Sequence, residues 1–329
     1  MRSVLSRRVA PRLRCLISSN AASTISTRGV LDSGSLNPRM FSSYTDDFDS
    51  DEKTALVLGS SGVLGKALTK HLSRNLGMSV IGADVVDNAE DESNLDAFIS
   101  IPTLDDKHPG LSEMTEALAT GLCAVMEDGR DIDAIICAAG SWQSDPESPT
   151  TTSSDEDFIA GARSFGENID AMLATNLYPV LAAGYAANRF MAQEGLFVVI
   201  GATAALSPTP GMLGYGLGKT GAHHFVQTLG EISGKSATTK SRRRKARKLR
   251  RNNEYLDTLS VVGILPTTID TPSNRKAMPD HDFSQWTRPE DIAAEIGTWV
   301  QLPPMRPHSG GLVKVFPNKA GGACFNLVR

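Results

Sequence analysis

The chain has 329 residues, 40% of them hydrophobic and 21% charged, with a formal net charge of −4. This is the composition of a soluble globular protein with a sizeable core, and no apolar run approaches the roughly 20 residues of a membrane helix. Four cysteines (Cys15, Cys123, Cys137, Cys324) without CxxC spacing argue against a disulfide framework or zinc ribbon. The histidines show no ligand spacing either, His223 and His224 being adjacent, so no metal site is expected.

The net charge averages unlike segments. Residues 1–41 carry seven arginines against Asp32 alone, a net charge of +6 that leaves −10 for the rest. Arg-rich, Ser-rich, acid-poor sequence of this kind is the composition of an organelle transit peptide. Arg2–Val9 can form a basic amphipathic helix, and Arg39-Met-Phe-Ser-Ser43 resembles a mitochondrial processing site. The expectation is mitochondrial import of a chain with residues 1–41 as leader, residues 42–52 as an acidic linker and 53–329 as the folded domain. A plastid address, or a plain tail on a cytoplasmic protein, is the competing reading.

From Lys53 the pattern alternates. Strands are predicted at Ala55–Gly59, Ser79–Val85, Ala97–Ile101, Ala134–Ala139, Leu196–Ile200, Leu259–Leu265 and Leu312–Phe316. Helices are predicted at Val63–Leu76, Leu111–Met126, Asp170–Met191, Tyr215–Ile232 and Pro289–Val300. Such alternation implies an α/β fold with a single doubly wound parallel sheet (a Rossmann fold) and helices on both faces. Two surface insertions are expected, at about 144–168 and 235–254. The second holds the dense basic run Lys240–Arg251, whose like charges repel and favour a solvated loop. It has no interleaved aromatic residues, which argues against a stacking surface for single strands and makes a nucleic-acid partner unexpected.

Gly59-Ser-Ser-Gly62-Val63-Leu64-Gly65 lies between the first strand and the first helix. Glycines there let the backbone turn sharply and approach a pyrophosphate, which then sits on the helix N-terminus. Asp84, 19 residues past Gly65, ends the second strand. It can bind adenosine ribose hydroxyls and would repel a 2′-phosphate, which favours NADH over NADPH; alternatively it is a solvent-facing strand end. Small residues at Ala139 and Gly140 either admit the cofactor or merely serve strand packing. Tyr215 and Lys219, at i and i+4, share a helix face. A nearby ammonium is expected to lower the phenol's pKa and make Tyr215 a usable proton donor or acceptor.

These residues carry a resemblance. Gly59–Gly65, Asp84, Asn176, the Tyr215/Lys219 pair and Leu265-Pro266 are similar to short-chain dehydrogenases/reductases. Cys137–Trp142, Pro210–Lys219, Leu265–Pro279 and Asp282–Thr287 resemble, more narrowly, the dihydropteridine reductases, and the likeness runs from about Ala55 to about Phe316. The resemblance implies an oxidoreductase that converts quinonoid 6,7-dihydropteridine to tetrahydropteridine with NADH, as in tetrahydrobiopterin recycling. It implies cofactor contacts from Gly59, Ser61, Gly62, Val63, Leu64, Gly65, Asp84, Ala139, Gly140, Lys219 and Pro266. Tyr215 would supply the proton, assisted by Lys219, and Trp142 would form an aromatic wall for the pterin. Asn274 and Arg275 would order the loop over the site. A homodimer through the helices at 170–191 and 215–232 is also implied.

Two departures bear on this. The superfamily's serine, about thirteen residues before the tyrosine, is replaced by Ala202, with Thr203 next. Dihydropteridine reductases are similar in lacking it, since an electron-poor quinonoid substrate needs less carbonyl polarisation. Asn176 instead fits the wider superfamily and would extend a proton relay. The remaining readings are a reductase of the same superfamily acting on a quinone or ketone, or a cofactor-binding scaffold that uses the basic loop.

Overall fold

Aliphatic runs too short for helices form the sheet. β1 (Thr54–Leu58) is buried along its whole length, and β2 (Ser79–Asp84) and β4 (Ile132–Cys137) nearly so. Continuous burial is what a parallel strand covered on both faces requires. The remaining strands are β3 (Ala97–Ser100), β5 (Met191–Ile200), β6 (Ser260–Pro266), β7 (Gly311–Pro317) and β8 (Ala323–Leu327). In the computed structural model they make one eight-stranded sheet in the order β3-β2-β1-β4-β5-β6-β7-β8, parallel except for β8. The structure describes residues 53–86, 94–103, 108–126, 130–147, 154–233, 259–318 and 321–328. The expected leader, the acidic linker and the basic run 240–251 lie outside the described residues.

Side chains alternate between two cores. Leu56, Leu58, Ile135 and Phe197 face one layer, formed by α2 (Leu111–Val125), α4 (Tyr178–Phe190) and α5 (Leu213–Ile232). Ala55, Val57, Ile136 and Val198 face the other, formed by α1 (Val63–Lys70) and α7 (Pro289–Gln301). α3 (Asp155–Asn176) packs on α5 rather than directly on the sheet, and α6 (Pro272–Ala277) lies in the connection from β6 to α7. This is the doubly wound fold expected. β1 pairs with both β2 and β4, so the crossovers leave in opposite directions and open a crevice at the carboxyl edge. Among the described residues no helix is long and apolar enough to cross a membrane.

Several features differ from the sequence reading, among them β5, which begins at Met191 rather than Leu196. The helix expected at Asp170–Met191 is two, α3 and α4, meeting at Leu177, with Pro179 opening the second. α3 begins at Asp155, where Ser154 and Asp157 form a capping box, so residues 155–168 of the expected insertion are helical. The first helix passes at His71–Asn75 into a π-helical turn. β8 was not foreseen, because the turn before it uses Gly321 and Gly322 at positive φ and the strand itself has only five residues. Phe325 secures it edge-on against Trp299, ring centroids 6.2 Å apart.

The end of α5 approaches the start of β7 through bare backbone, since a Cβ on Gly230 would sit on the Gly310 chain. Gly230→Ala is therefore expected to destabilise by about 1–3 kcal/mol through overpacking. Gly166→Ala on α3, with open space around it, should be neutral or stabilise by up to about 1 kcal/mol. Thermal unfolding of the two variants checks the contrast.

Candidate active site

The parallel register puts the ends of three strands side by side: Leu58 is level with Ala83 on β2 and with Cys137 on β4. Gly59 turns the chain away at φ 81°, its N–H donating to the Ala83 carbonyl at 2.8 Å. A Cβ there would lie 2.6 Å from Ala139 Cα, and a Cβ on Gly65 would collide with the Gly59 carbonyl. These two glycines are thus demanded by the protein's own packing. Gly62 is not, for a Cβ there would meet only the Gly59 oxygen at 3.4 Å. It caps α1 without a side chain, leaving first-turn N–H groups open to an anion.

Asp84 ties the turn to β2. One carboxylate oxygen accepts the Ser61 N–H at 2.9 Å and the other the Val85 N–H at 2.7 Å. The Ser61 hydroxyl donates to the Val86 carbonyl at 2.6 Å. Gly59, Ser61, Gly62, Asp84, Ala139 and Gly140 all line one cleft of about 360 Å³ at the switch point. Val63 does not line it and is 42% exposed, while the Leu64 side chain points into the core. His108 and Pro109 before α2, and Thr175 and Pro179 at the α3–α4 junction, complete the walls and had no signature in the sequence.

At the inner end, polar groups gather in a buried setting. Lys219 is 5% exposed and its ammonium donates to the Ile200 carbonyl at 2.9 Å. Asn176 donates to the carbonyls of Ser141 and Met172, both at 3.0 Å. Its Oδ1 is buried with no hydrogen-bond partner among the described residues. A Cβ on Gly140 would stand 2.9 Å from both Asn176 Oδ1 and Lys219 Nζ, so the two groups converge on this glycine. The orphaned oxygen and the Gly62 cradle both fit a nicotinamide dinucleotide laid across the strand ends. Burial pushes Lys219 down to about 8 and Tyr215 up to about 12. The expected lowering of the phenol by Lys219 is not found, because desolvation governs the hydroxyl and the ammonium is turned to Ile200.

Ala202 and Thr203 follow β5. The Ala202 N–H donates to Nε2 of buried His223 at 3.2 Å, and the Thr203 hydroxyl donates to the Leu265 carbonyl at 2.8 Å. Tyr215, Lys219 and His223 recur at four-residue intervals on α5, a spacing that could have flagged the histidine. Trp142, 55% exposed, donates its indole N–H to Met212 Sδ at 3.3 Å. Pro266 is buried at the end of β6. Beyond it Asn274 donates to the Ile269 carbonyl at 2.8 Å. Arg275 pairs with both oxygens of Asp270, at 2.6 and 2.7 Å, and covers Phe283 with its guanidinium. These contacts order the loop from β6 to α7.

His223 is held neutral, burial pushing it down to about 4 with a smaller contribution from Lys219. The unfolded chain gains this proton near pH 6.5 and the folded chain only near 4, so stability present above about pH 6.5 drains as pH falls between the two. The loss is on the order of 3 kcal/mol. Urea unfolding across this range should show a steeper loss for the wild type than for His223→Gln; equal slopes would refute the assignment.

No family model matches the chain. It is 32% identical over 263 residues to dihydropteridine reductase of Dictyostelium discoideum, covering 80% of this chain and 94% of that protein. Among solved structures it superposes on a short chain dehydrogenase family protein of Francisella tularensis (TM-score 0.53, 16% identity, 80% of this chain and 96% of that one). It also superposes on a dehydrogenase/reductase of Sinorhizobium meliloti (TM-score 0.53, 19% identity, 80% and 92%). A third is the aldohexose dehydrogenase of Thermoplasma acidophilum (TM-score 0.52, 15% identity, 80% and 92%). The structural likenesses establish the fold, and a family of this kind takes a nicotinamide cofactor. At 32% identity over nearly the whole of the Dictyostelium relative, the chain belongs to the dihydropteridine reductase family and is an oxidoreductase.

Proposed function

We propose that the protein reduces quinonoid dihydropterin to tetrahydropterin with NADH, Tyr215 delivering the proton. The observation that carries this reading is the chemistry around Ala202. That position has no hydroxyl, its N–H is taken up by His223, and the neighbouring Thr203 hydroxyl is spent on the Leu265 carbonyl. At this position the site thus has no free hydroxyl to polarise a carbonyl beside the phenol and the ammonium. This suits a substrate that is already electron-poor and needs a hydride and a proton, and it disfavours ketones.

The nicotinamide, when bound, supplies the hydride. Gly59, Ser61 and Gly62 hold the pyrophosphate, and the Asp84 carboxylate favours a ribose with a free 2′-hydroxyl. Val63, Leu64 and Gly65 support that turn, while Ala139, Gly140 and Pro266 flank the inner end. Lys219 and Asn176 hold the inner ribose and the local proton path. Trp142 offers an aromatic face to the pterin. Tyr215, pushed up to about 12, stays protonated throughout the neutral range and is a donor rather than a base. On the same reading the protein is a homodimer through α5 and the α3–α4 pair, where Leu173, Leu177 and Leu181 are only partly buried. Residues 1–41 carry it into mitochondria.

The test is NADH oxidation by the full chain with quinonoid dihydropterin generated in situ by a peroxidase. Tyr215→Phe should lower turnover by about 100-fold or more, and NADPH should serve poorly until Asp84 is replaced by Ser. The kcat/KM profile should fall as pH rises through about 8, where the Lys219 ammonium is lost. Bound NADH without dihydropterin turnover would overturn the substrate and redirect the search to quinones and ketones.

A further inference from the structure

Tyr215 sits in the first turn of α5, a helix that arrives without a cap of its own. Its N-cap residue is Met212, which offers no capping side chain, and Gly211 before it turns at φ 77°. The missing acceptor comes from 68 residues away: both Asp145 carboxylate oxygens accept the Leu213 N–H, at 2.7 and 2.9 Å. The Asp145 N–H in turn donates to the Gly211 carbonyl at 2.8 Å. The segment after β4 is therefore bonded in both directions to the start of α5.

The same segment carries Gly140 of the cofactor cleft and Trp142, and it is held from a third side. Asn168 on α3 donates to the Ser144 carbonyl at 3.0 Å, and the Trp142 indole rests on Met212. A carboxylate at a helix N-terminus also complements the positive end of the helix dipole. We infer that Asp145 is a positioning residue that sets Trp142 against Tyr215, clamping the substrate wall and the proton donor into one unit. Asp145 itself does not line the cofactor cleft. The inference rests on the function proposed above for the roles of Trp142 and Tyr215, whereas the clamp itself does not.

Asp145→Ala in the full chain should lower kcat/KM for quinonoid dihydropterin by about ten- to a hundredfold, the scale of a small misplacement at a reacting centre. NADH affinity, read from the dinucleotide's own fluorescence, should hold. The Leu213 amide should lose hydrogen-exchange protection. Asp145→Asn, which keeps one acceptor oxygen, should restore most of the turnover and protection, and it serves if the alanine variant fails to fold. Unchanged turnover in Asp145→Ala with faster amide exchange would overturn the positioning role, and unchanged exchange would overturn the clamp. A wild type that binds NADH but leaves dihydropterin untouched would sink the function, and the exchange measurement would still decide the clamp.

Discussion

A lysine ammonium withdrawn from water costs several kcal/mol unless acceptors replace its solvation. Lys219 is 5% exposed, and the acceptor given to it is the last carbonyl of β5, at 2.9 Å from Ile200. Much of the site follows from that one buried bond. β5 must end where α5 passes, and His223, one turn further along α5, accepts the Ala202 N–H just past that strand end. Burial, with a smaller contribution from the ammonium, keeps His223 neutral, so the histidine remains an acceptor for the backbone. Cys137, buried nearby at the end of β4, is pushed up by desolvation and stays a thiol, inert in this setting.

The polar inner end is built from backbone and small residues because there is no room for more. Gly140 leaves space beside Asn176 Oδ1 and Lys219 Nζ, and Gly218 on α5 lets α3 come close, a Cβ there lying 3.0 Å from that of Asn176. The outer end follows the same logic, with Gly59 and Gly65 folded against each other beneath the cleft. Asp84, Asn176 and Lys219 are thereby brought to the carboxyl edge of one sheet from separate parts of the chain. A rigid parallel register makes their spacing reproducible.

Much of this was legible in advance. The strand runs, the glycine turn and the Tyr215/Lys219 spacing are local signals, each arising within about ten residues, and the structure has most of them near the expected bounds, β5 starting five residues early. The acidic end of β2 was legible too, although Asp84 also turned out to clamp the glycine turn through Ser61. What failed were features without local periodicity. α3 opens in a polar stretch that reads as loop until Ser154 and Asp157 cap it, and β8 is stabilised by pairing with β7 rather than by its own five residues.

The sequence by itself determined the fold class and the nature of the reactive groups, because hydrophobic period and short motifs encode both within single elements. Only the tertiary structure decided how those groups behave. Burial, which no local pattern specifies, sends Tyr215 up and Lys219 down, against the simple expectation of an ion lowering a phenol. Likewise Asp145, an acid in a polar loop, becomes the cap of the tyrosine helix because the β4 loop and α5 meet in space. A contact 68 residues apart depends on how the elements pack, and packing belongs to the whole chain.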